Sequence, residues 1–318
     1  MIFSKVARVR WVALTTLVLL AGAVVASAGC SGSGTASADG RPIVVATTTQ
    51  AADLAREVGE NRVHVVGMLA PNADPHEHEV RPADVKALSG AKLIVRSGGD
   101  VDRWLDDAIA SAGSHAPVLT LLDHVAARRD RHGVDPHWWQ DPRNGVRAVA
   151  ALRGALARAV PAGTAAFTRR AEAFTRRLEA LDTAVAGCLG RVPARQRKLV
   201  TTHDALGYYA ARYGLQVVGA VIPSLSTQAQ ASAGDTARLV DTIRREGVRA
   251  IFAESSVNAS VEDAIAQETG ARVGRPLWAD SLGPKGSSGA TYIGSIEANA
   301  RALVQGFSGG AVDCPVDA

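Results

Sequence analysis

The first part of the chain alternates short runs of β-branched and apolar residues with segments in which apolar residues recur at helical spacing. The run PIVVATTT at 42–49 is typical of a buried strand, and the next segment places Leu54 and Val58 on one side of a helix. Strands that alternate with helices at this interval predict βαβ units, in which a parallel sheet is covered on both faces. The pattern predicts strands at 42–49, 63–69, 91–96 and 116–121 and helices at 51–60, 81–89 and 101–112.

The middle of the chain is rich in Ala, Arg, Leu and Glu and carries no strand pattern. It predicts two helices, 144–160 and 164–189, separated by the helix-breaking segment Pro-Ala-Gly at 161–163. One face of the second helix is apolar and consists of Phe167, Ala171, Phe174, Leu178, Leu181 and Val185. We therefore interpret the second segment as a long amphipathic helix whose arginines form a solvated face.

Beyond residue 190 the alternation of strands and helices resumes. The pattern predicts strands at 198–202, 216–221 and 250–253 and helices at 205–213, 233–246 and 261–269. The predicted fold class is α/β: two similar α/β lobes with parallel sheets, joined by a long rigid helix. We place the N-terminal lobe at 42–160, the linking helix at 161–190 and the C-terminal lobe at 191–318. The expected ligand site is the cleft between the lobes, where loops at the ends of parallel strands converge.

The N-terminal residues have the pattern of a lipoprotein signal peptide. Three basic residues lie before residue 11, an apolar stretch runs to Ala28, and small residues precede Cys30. A Gly- and Ser-rich segment follows and is typical of a flexible tether. We assign 1–29 to a signal peptide and 30–41 to a lipidated Cys30 with its tether. The alternative is an uncleaved anchor, because the apolar stretch is nearly long enough to span a bilayer. Both interpretations place the functional part outside the cytoplasm, anchored to the cell membrane.

Composition and the two remaining cysteines exclude further classes of function and site. The chain has 318 residues, of which 47% are hydrophobic and 21% charged, as in globular proteins. Its 35 basic and 31 acidic residues form no basic stripe with interleaved aromatic residues, so no nucleic-acid partner is predicted. Cys188 and Cys314 lack the CxxC spacing of a thiolate zinc site. Because a leftover pair usually oxidises outside the cytoplasm, we predict a disulfide between them; the alternative is two free buried cysteines.

Three of the eight histidines stand in local sequences that could present a ligand. His76 lies in the loop sequence DPHEHE, His137 lies in DPHWWQDP, and His203 directly follows a predicted strand. Imidazole nitrogen suits zinc and similar divalent metals, and two or three histidines with one carboxylate make a tetrahedral site. From the residues alone, the carboxylate is either Asp280, in WADSLG, or Glu254, in IFAES.

These segments resemble the zinc/manganese solute-binding proteins of ABC importers, cluster A-I, which are often lipoproteins. The matching segments, in order, are DPHEHE at 74–79, PADV at 82–85, AKLIVRSGG at 91–99, DPHWWQDP at 135–142, HDALGYYAARYG at 203–214, FAE at 252–254 and WADSLG at 278–283. The resemblance covers essentially the whole mature chain and implies a metal bound between the lobes by His76, His137, His203 and Asp280. Manganese-type relatives often have a glutamate at the position of His203. Three imidazoles and one carboxylate therefore favour Zn²⁺, with Mn²⁺ as the alternative. We place Glu254 behind a ligating imidazole, where it can accept the free ring N–H.

The remaining histidines have weaker assignments. Many zinc-specific relatives carry a long His- and Asp-rich loop before the second ligand, but here the stretch 123–135 is short. Its two histidines, His124 and His132, could form a weak secondary site. We expect His78 to be exposed to solvent; the alternatives are a substitute ligand or a residue on the entry path. No role is predicted for the other two histidines, His64 and His115.

The predicted function is extracytoplasmic capture of Zn²⁺ and its delivery to the membrane permease of an ABC importer. The expected partners are that permease and its ATPase, and the protein is expected to be a monomer. No enzyme is predicted, because three histidines and one aspartate close a tetrahedron and the chain has no HExxH motif. A metallohydrolase and a metal-dependent adhesin are the less favoured alternatives. Since a single long helix between lobes resists bending, we expect release through local motion of the loops around His76 and Asp280.

Overall fold

The computed structural model describes residue 37 and residues 39–130 and 133–316. The expected signal peptide, the lipidation site Cys30 and His132 lie outside the described residues. Among the described residues, no helix combines the length and the apolar character that crossing a bilayer requires.

The N-terminal lobe is built on a four-stranded parallel sheet. Its strands are β1 (Ile43–Ala46), β2 (His64–Gly67), β3 (Ala91–Arg96) and β4 (Val118–Thr120), in the spatial order β2-β1-β3-β4. The helices that follow the first three strands are α1 (Thr49–Gly59), α2 (Pro82–Ser89) and α3 (Leu105–Ala112). Consecutive residues Val44, Val45 and Ala46 are all fully buried, which is why the strand reads as a continuous apolar run rather than an alternating one.

The C-terminal lobe repeats this strand order. Its strands are β7 (Lys198–His203), β8 (Gln216–Ile222), β9 (Ala250–Ile251) and β10 (Arg272–Val273). The Phe252 N–H donates to the Val200 carbonyl at 2.9 Å, which places β9 beside β7 on the side away from β8. β10 pairs with β9, so the spatial order is β8-β7-β9-β10. The helices of this lobe are α6 (Gly207–Tyr213), α7 (Ala233–Glu246) and α8 (Ser260–Thr269).

Two helices, α4 (Pro142–Ala159) and α5 (Thr164–Gly190), lie between the sheets in the chain. The predicted apolar face of α5, from Phe167 to Val185, is buried. A short antiparallel pair, β5 (Arg129–Asp130) and β6 (Gly133–Val134), precedes α4. The predicted fold class, two α/β lobes with parallel sheets and a long helix, is confirmed.

A last helix, α9 (Tyr292–Ser308), was not predicted. It packs against α1, α5 and β9, so it contacts both lobes. Gly306 allows the close approach to β9, because a Cβ atom there would collide with the ring of Phe252. The main hydrophobic core runs through both lobes and includes Val44, Phe174 and Phe307. Cys188, in α5, forms a disulfide with Cys314, with Cα atoms 5.2 Å apart.

Candidate metal centre

Four side chains from four separate segments meet in the cleft between the lobes: His76, His137, His203 and Asp280. These side chains are 2%, 0%, 0% and 1% exposed, respectively, so the cluster is buried and its most accessible member is His76. One potential ligand atom from each side chain lies within 4.8 Å of the others. The two lobes contribute two side chains each.

The spacing of these atoms is that of a small tetrahedral ion. Asp280 Oδ2 lies 3.3 Å from His76 Nε2 and 3.2 Å from His203 Nε2. Asp280 Oδ1 lies 3.4 Å from His137 Nε2, and the Nε2 atoms of His137 and His203 are 3.3 Å apart. A tetrahedron around Zn²⁺ with bonds of about 2.0–2.1 Å has edges of about 3.3 Å. Four of the contacts in the cluster match this edge length, and the ligand atoms all lie within 4.8 Å of one another, so the four side chains are close enough to share one ion.

The first two histidines are presented by the same tripeptide, Asp-Pro-His. The Asp74 side chain caps a short 3₁₀ turn (Pro75–Glu77), and its Oδ1 accepts the His76 backbone N–H at 2.9 Å. The Oδ1 atom of Asp135 accepts the His137 backbone N–H at 3.0 Å and also contacts His137 Nδ1 at 2.8 Å. The latter contact turns the Nε2 atom of His137 toward the cluster.

His203 is the last residue of β7, and α6 begins at Gly207, two residues later than the predicted helix start at residue 205. Glu254 Oε1 accepts the His203 backbone N–H at 3.0 Å and lies 2.6 Å from His203 Nδ1. Glu254 therefore stands behind His203, and Asp280 stands inside the cluster.

Asp280 lies in the segment after β10, and buried groups from both lobes hold that segment. The carbonyl of Ala279 accepts hydrogen bonds from Trp139 Nε1 at 2.8 Å and from Gln140 Nε2 at 2.7 Å. The Asn299 amide, on α9, pairs with the Trp278 backbone N–H and carbonyl at 2.8 and 2.9 Å. These contacts fix the backbone on the N-terminal side of the carboxylate.

The electrostatics of the site favour a bound cation. Burial lowers the pKa of His203, but the carboxylates of Glu254 and Asp280 raise it well above its ordinary value of 6.5. Burial likewise lowers the pKa of His137, and the negative charges of Asp280 and Asp135 outweigh it, so the net shift is upward. For Asp280 burial acts to raise the pKa, but the imidazoles of His203 and His137 hold it well below 3.8. Asp280 is therefore an anion at neutral pH.

His76 Nε2 and both oxygens of Asp280 face the other members of the cluster at 3.2–3.4 Å but make no well-directed hydrogen bond. A buried carboxylate with both oxygens in this state is costly unless a cation compensates it. Imidazole nitrogens and a carboxylate oxygen are the donors that Zn²⁺ takes in proteins. The residues present thus fit a divalent metal.

The expectation that His78 is exposed is wrong. Its side chain is only 8% exposed, its ring packs on Trp104 at a centroid distance of 4.5 Å, and its Nε2 lies 3.4 Å from Asp84 Oδ2. Asp84 and Trp104 hold His78 away from the cluster, and desolvation lowers its pKa. His124 and His115 are exposed, and His64 is half-buried in β2, so none of the three reaches the cluster.

Sequence reasoning assigned no role to Asp135, Trp139 or Asn299. A local signal existed for Asp135, since Asp-Pro-His occurs twice and both aspartates accept the histidine N–H. Trp139 packs on the His137 imidazole, with ring centroids 5.4 Å apart, and also anchors the Asp280 segment.

The fold and the buried cluster are those of a protein that binds a metal ion between two lobes. A sequence model of the family described as "Zinc-uptake complex component A periplasmic" matches residues 44–306, and the chain belongs to this family. Its members are substrate-binding proteins rather than enzymes, so the metallohydrolase alternative is excluded.

Individual relatives differ in the metal that their names state. The chain is 31% identical to the zinc-binding protein TroA of Treponema pallidum (strain Nichols), over 86% of this chain and 91% of that one. It is 29% identical to the manganese-binding lipoprotein MntA of Bacillus subtilis (strain 168), over 90% and 98%. The solved periplasmic zinc-binding protein TroA from Treponema pallidum superposes with a TM-score of 0.79, covering 84% of this chain and 99% of that chain. Several relatives are named lipoproteins, in agreement with the extracytoplasmic, membrane-anchored location expected for this chain.

Proposed function

We propose that this protein captures one Zn²⁺ ion outside the cytoplasm through His76, His137, His203 and Asp280 and delivers it to the permease of an ABC importer. The observation that carries the proposal is the spacing of 3.2–3.4 Å among the facing nitrogen and oxygen atoms. Three nitrogen donors and one oxygen donor at tetrahedral spacing favour zinc over harder ions that need six oxygen-rich positions.

Manganese is the second candidate, because both oxygens of Asp280 face the histidines. Oδ1 lies near His137 and Oδ2 lies near His76 and His203. If both oxygens bind, the site offers five donors, which suits a larger coordination number than four. The manganese-binding name of one relative supports keeping this candidate.

Metal analysis followed by competition tests the choice. Full-length protein is extracted from membranes in detergent without added metal, its metal content is measured, and the metal-free form is titrated with Zn²⁺ and Mn²⁺ in competition. We expect one tightly bound zinc per chain and displacement of manganese by zinc. Tight manganese binding together with weak zinc binding would contradict the zinc assignment and favour the second candidate.

The proposal also includes anchoring through lipidated Cys30 and partnership with a permease and its ATPase, with the binding protein acting as a monomer. Mass spectrometry of the N-terminal peptide from membranes should detect a diacylated or triacylated cysteine. An uncleaved apolar helix would instead give an N-terminal peptide that extends upstream of Cys30 and a Cys30 without acyl groups.

A further inference from the structure

Two loops at corresponding positions of the two lobes touch across the cleft. The β2–α2 loop (68–81) carries His76, and the β8–α7 loop (223–232) occupies the equivalent place in the C-terminal lobe. Thr227, in the second loop, donates its hydroxyl to Asp74 Oδ2 at 2.6 Å. Both residues are half-buried, so this bond is partly shielded from water.

Asp74 is also the residue that sets the turn of His76. Its Oδ1 accepts the His76 N–H while its Oδ2 accepts from Thr227, so one carboxylate joins a ligand of the N-terminal lobe to the opposite lobe. The carboxylates behind the other two histidines have a different arrangement. Asp135 and Glu254 come from the same lobe as the imidazole they contact and are 3% and 2% exposed.

We propose that Asp74 is a positioning residue for His76 and that Thr227 is its clamp, so that the Asp74–Thr227 hydrogen bond sets how long the metal stays bound. The inference rests on the proposed function, since it concerns release of the captured ion. His76 is the most exposed of the four cluster residues, and an ion that leaves on this side must part from it first. The bond forms only when the two loops are together, so it stabilises the closed, metal-holding state.

A neighbouring contact provides a matched control. Arg103 Nη2 donates to Gln228 Oε1 at 3.0 Å, which also joins the two lobes one residue along the same loop. Both of these side chains are exposed, and neither residue contacts a member of the cluster. Loss of this contact loosens the loop without disturbing Asp74.

The experiment measures zinc dissociation from the full-length protein in detergent, by stopped-flow capture with a chromogenic chelator. Thr227→Val keeps the side-chain shape and removes the donor, and we expect it to speed dissociation about tenfold. Thr227→Ser keeps the hydroxyl and should release zinc at the wild-type rate. Gln228→Ala should change the rate less than about twofold, because exposed polar contacts contribute little. The thermal midpoint of the metal-free protein should be the same for all variants. A general packing defect would lower that midpoint.

A double-mutant cycle completes the test. Asp74→Ala removes both the acceptor of the His76 N–H and the acceptor of the Thr227 hydroxyl, whereas an Asn at this position could still donate its NH₂ group to that hydroxyl. This variant should release zinc at least as fast as Thr227→Val, and the double variant should be no faster than Asp74→Ala alone. A wild-type rate in Thr227→Val, equal effects of Thr227→Val and Gln228→Ala, or additive effects in the double variant would overturn the clamp while leaving the metal site intact. Wild-type protein that holds no zinc would instead overturn the proposed function.

Discussion

The Asp280 segment and the His76 turn each bring one side chain to the cluster, but different contacts hold them. The Asp280 segment is held by buried groups: Trp139 and Gln140 from the opposite lobe bond the Ala279 carbonyl. On its other side, Thr49 Oγ1 accepts the Leu282 N–H at 2.8 Å. We expected local motion of the loops around both His76 and Asp280, yet the backbone is hydrogen-bonded on both sides of the Asp280 carboxylate.

The His76 turn is held by groups that water can reach. Asn72 donates its backbone N–H to the Leu282 carbonyl at 2.8 Å and its exposed side chain to the Ser255 carbonyl at 3.0 Å. Asp74, half-buried, supplies the remaining bond across the cleft. Exposed hydrogen bonds open at lower free energy than buried ones. The difference indicates that Asp280 belongs to a fixed part of the site and His76 to its moving part.

The largest difference between the two regions should appear when their side chains are removed. Asp280→Ala takes away the one negative charge that faces all three imidazoles, and zinc affinity should fall about 1000-fold, in line with the loss of a partner from a buried charge cluster. The loss of zinc affinity in His76→Ala should be about tenfold smaller than in Asp280→Ala, because water can fill the vacated position on the accessible side. Chelator competition measures both. Equal losses for the two variants would remove the distinction between fixed and moving sides.

The interior of the site should also respond to pH. The pKa values of His137 and His203 are raised, and a protonated imidazole cannot bind metal. As the pH is lowered, zinc affinity should therefore begin to fall while the pH is still above 6.5. The fall should reach about a hundredfold per pH unit where both imidazoles take up protons.

The metal-free protein should show the opposite trend over the same pH window. A histidine whose pKa is raised by folding adds stability below its unfolded value near 6.5 and loses that contribution as the pH rises through the folded value. Calorimetry of metal-free protein should therefore find stability decreasing with rising pH above 6.5. A metal-free protein that gains stability there would show that these carboxylates do not raise the two pKa values.

Glu254 tests how the fixed side is supported. Glu254→Gln leaves the amide oxygen able to accept from His203 Nδ1 but removes the negative charge, so zinc affinity should fall about 10- to 100-fold with the ion retained. The pKa of His203 should fall with it, and the onset of pH sensitivity should move to lower pH. A zinc-bound structure with a Glu254 oxygen at about 2.0–2.2 Å from the metal and Asp280 turned away would reverse their assigned roles.

The smallest expected effect is a difference in local opening. In metal-free protein the backbone amides of residues 72–78 should exchange with deuterium faster than those of 278–282, and zinc should slow the first group more. Because one hydrophobic core runs through both lobes, we expect no large rotation of one lobe against the other. Equal exchange in the two segments, or a wide change in lobe angle between metal-free and zinc-bound structures, would contradict this view.

Local patterns in the sequence were enough to predict the two α/β lobes and the long helix α5, and they singled out His76, His137 and His203 as candidate ligands; the choice of Asp280 over Glu254 came from the family resemblance. A continuous apolar run such as that at Val44–Ala46 identifies a strand, because a strand covered on both faces buries every residue. The apolar positions from Phe167 to Val185 identify α5, because a helix packed on one side buries residues at helical spacing. The two Asp-Pro-His segments were also recognisable locally. In each, the aspartate side chain accepts the backbone N–H of the histidine two residues later, so no distant residue is needed to form the turn.

Tertiary structure decided the features that depend on residues far apart in the chain. Helix α9 has a polar stripe of Glu297, Arg301 and Gln305 at helical spacing, so a local signal for it existed, but its packing against both lobes depends on residues far away in the chain. His78 lies in a polar sequence but is covered by Trp104. The bond from Trp139 to the Ala279 carbonyl joins residues 140 positions apart. Which carboxylate faces the cleft and which stands behind His203 depends on such contacts, because a residue's own neighbours in sequence do not determine what lies across a cleft from it.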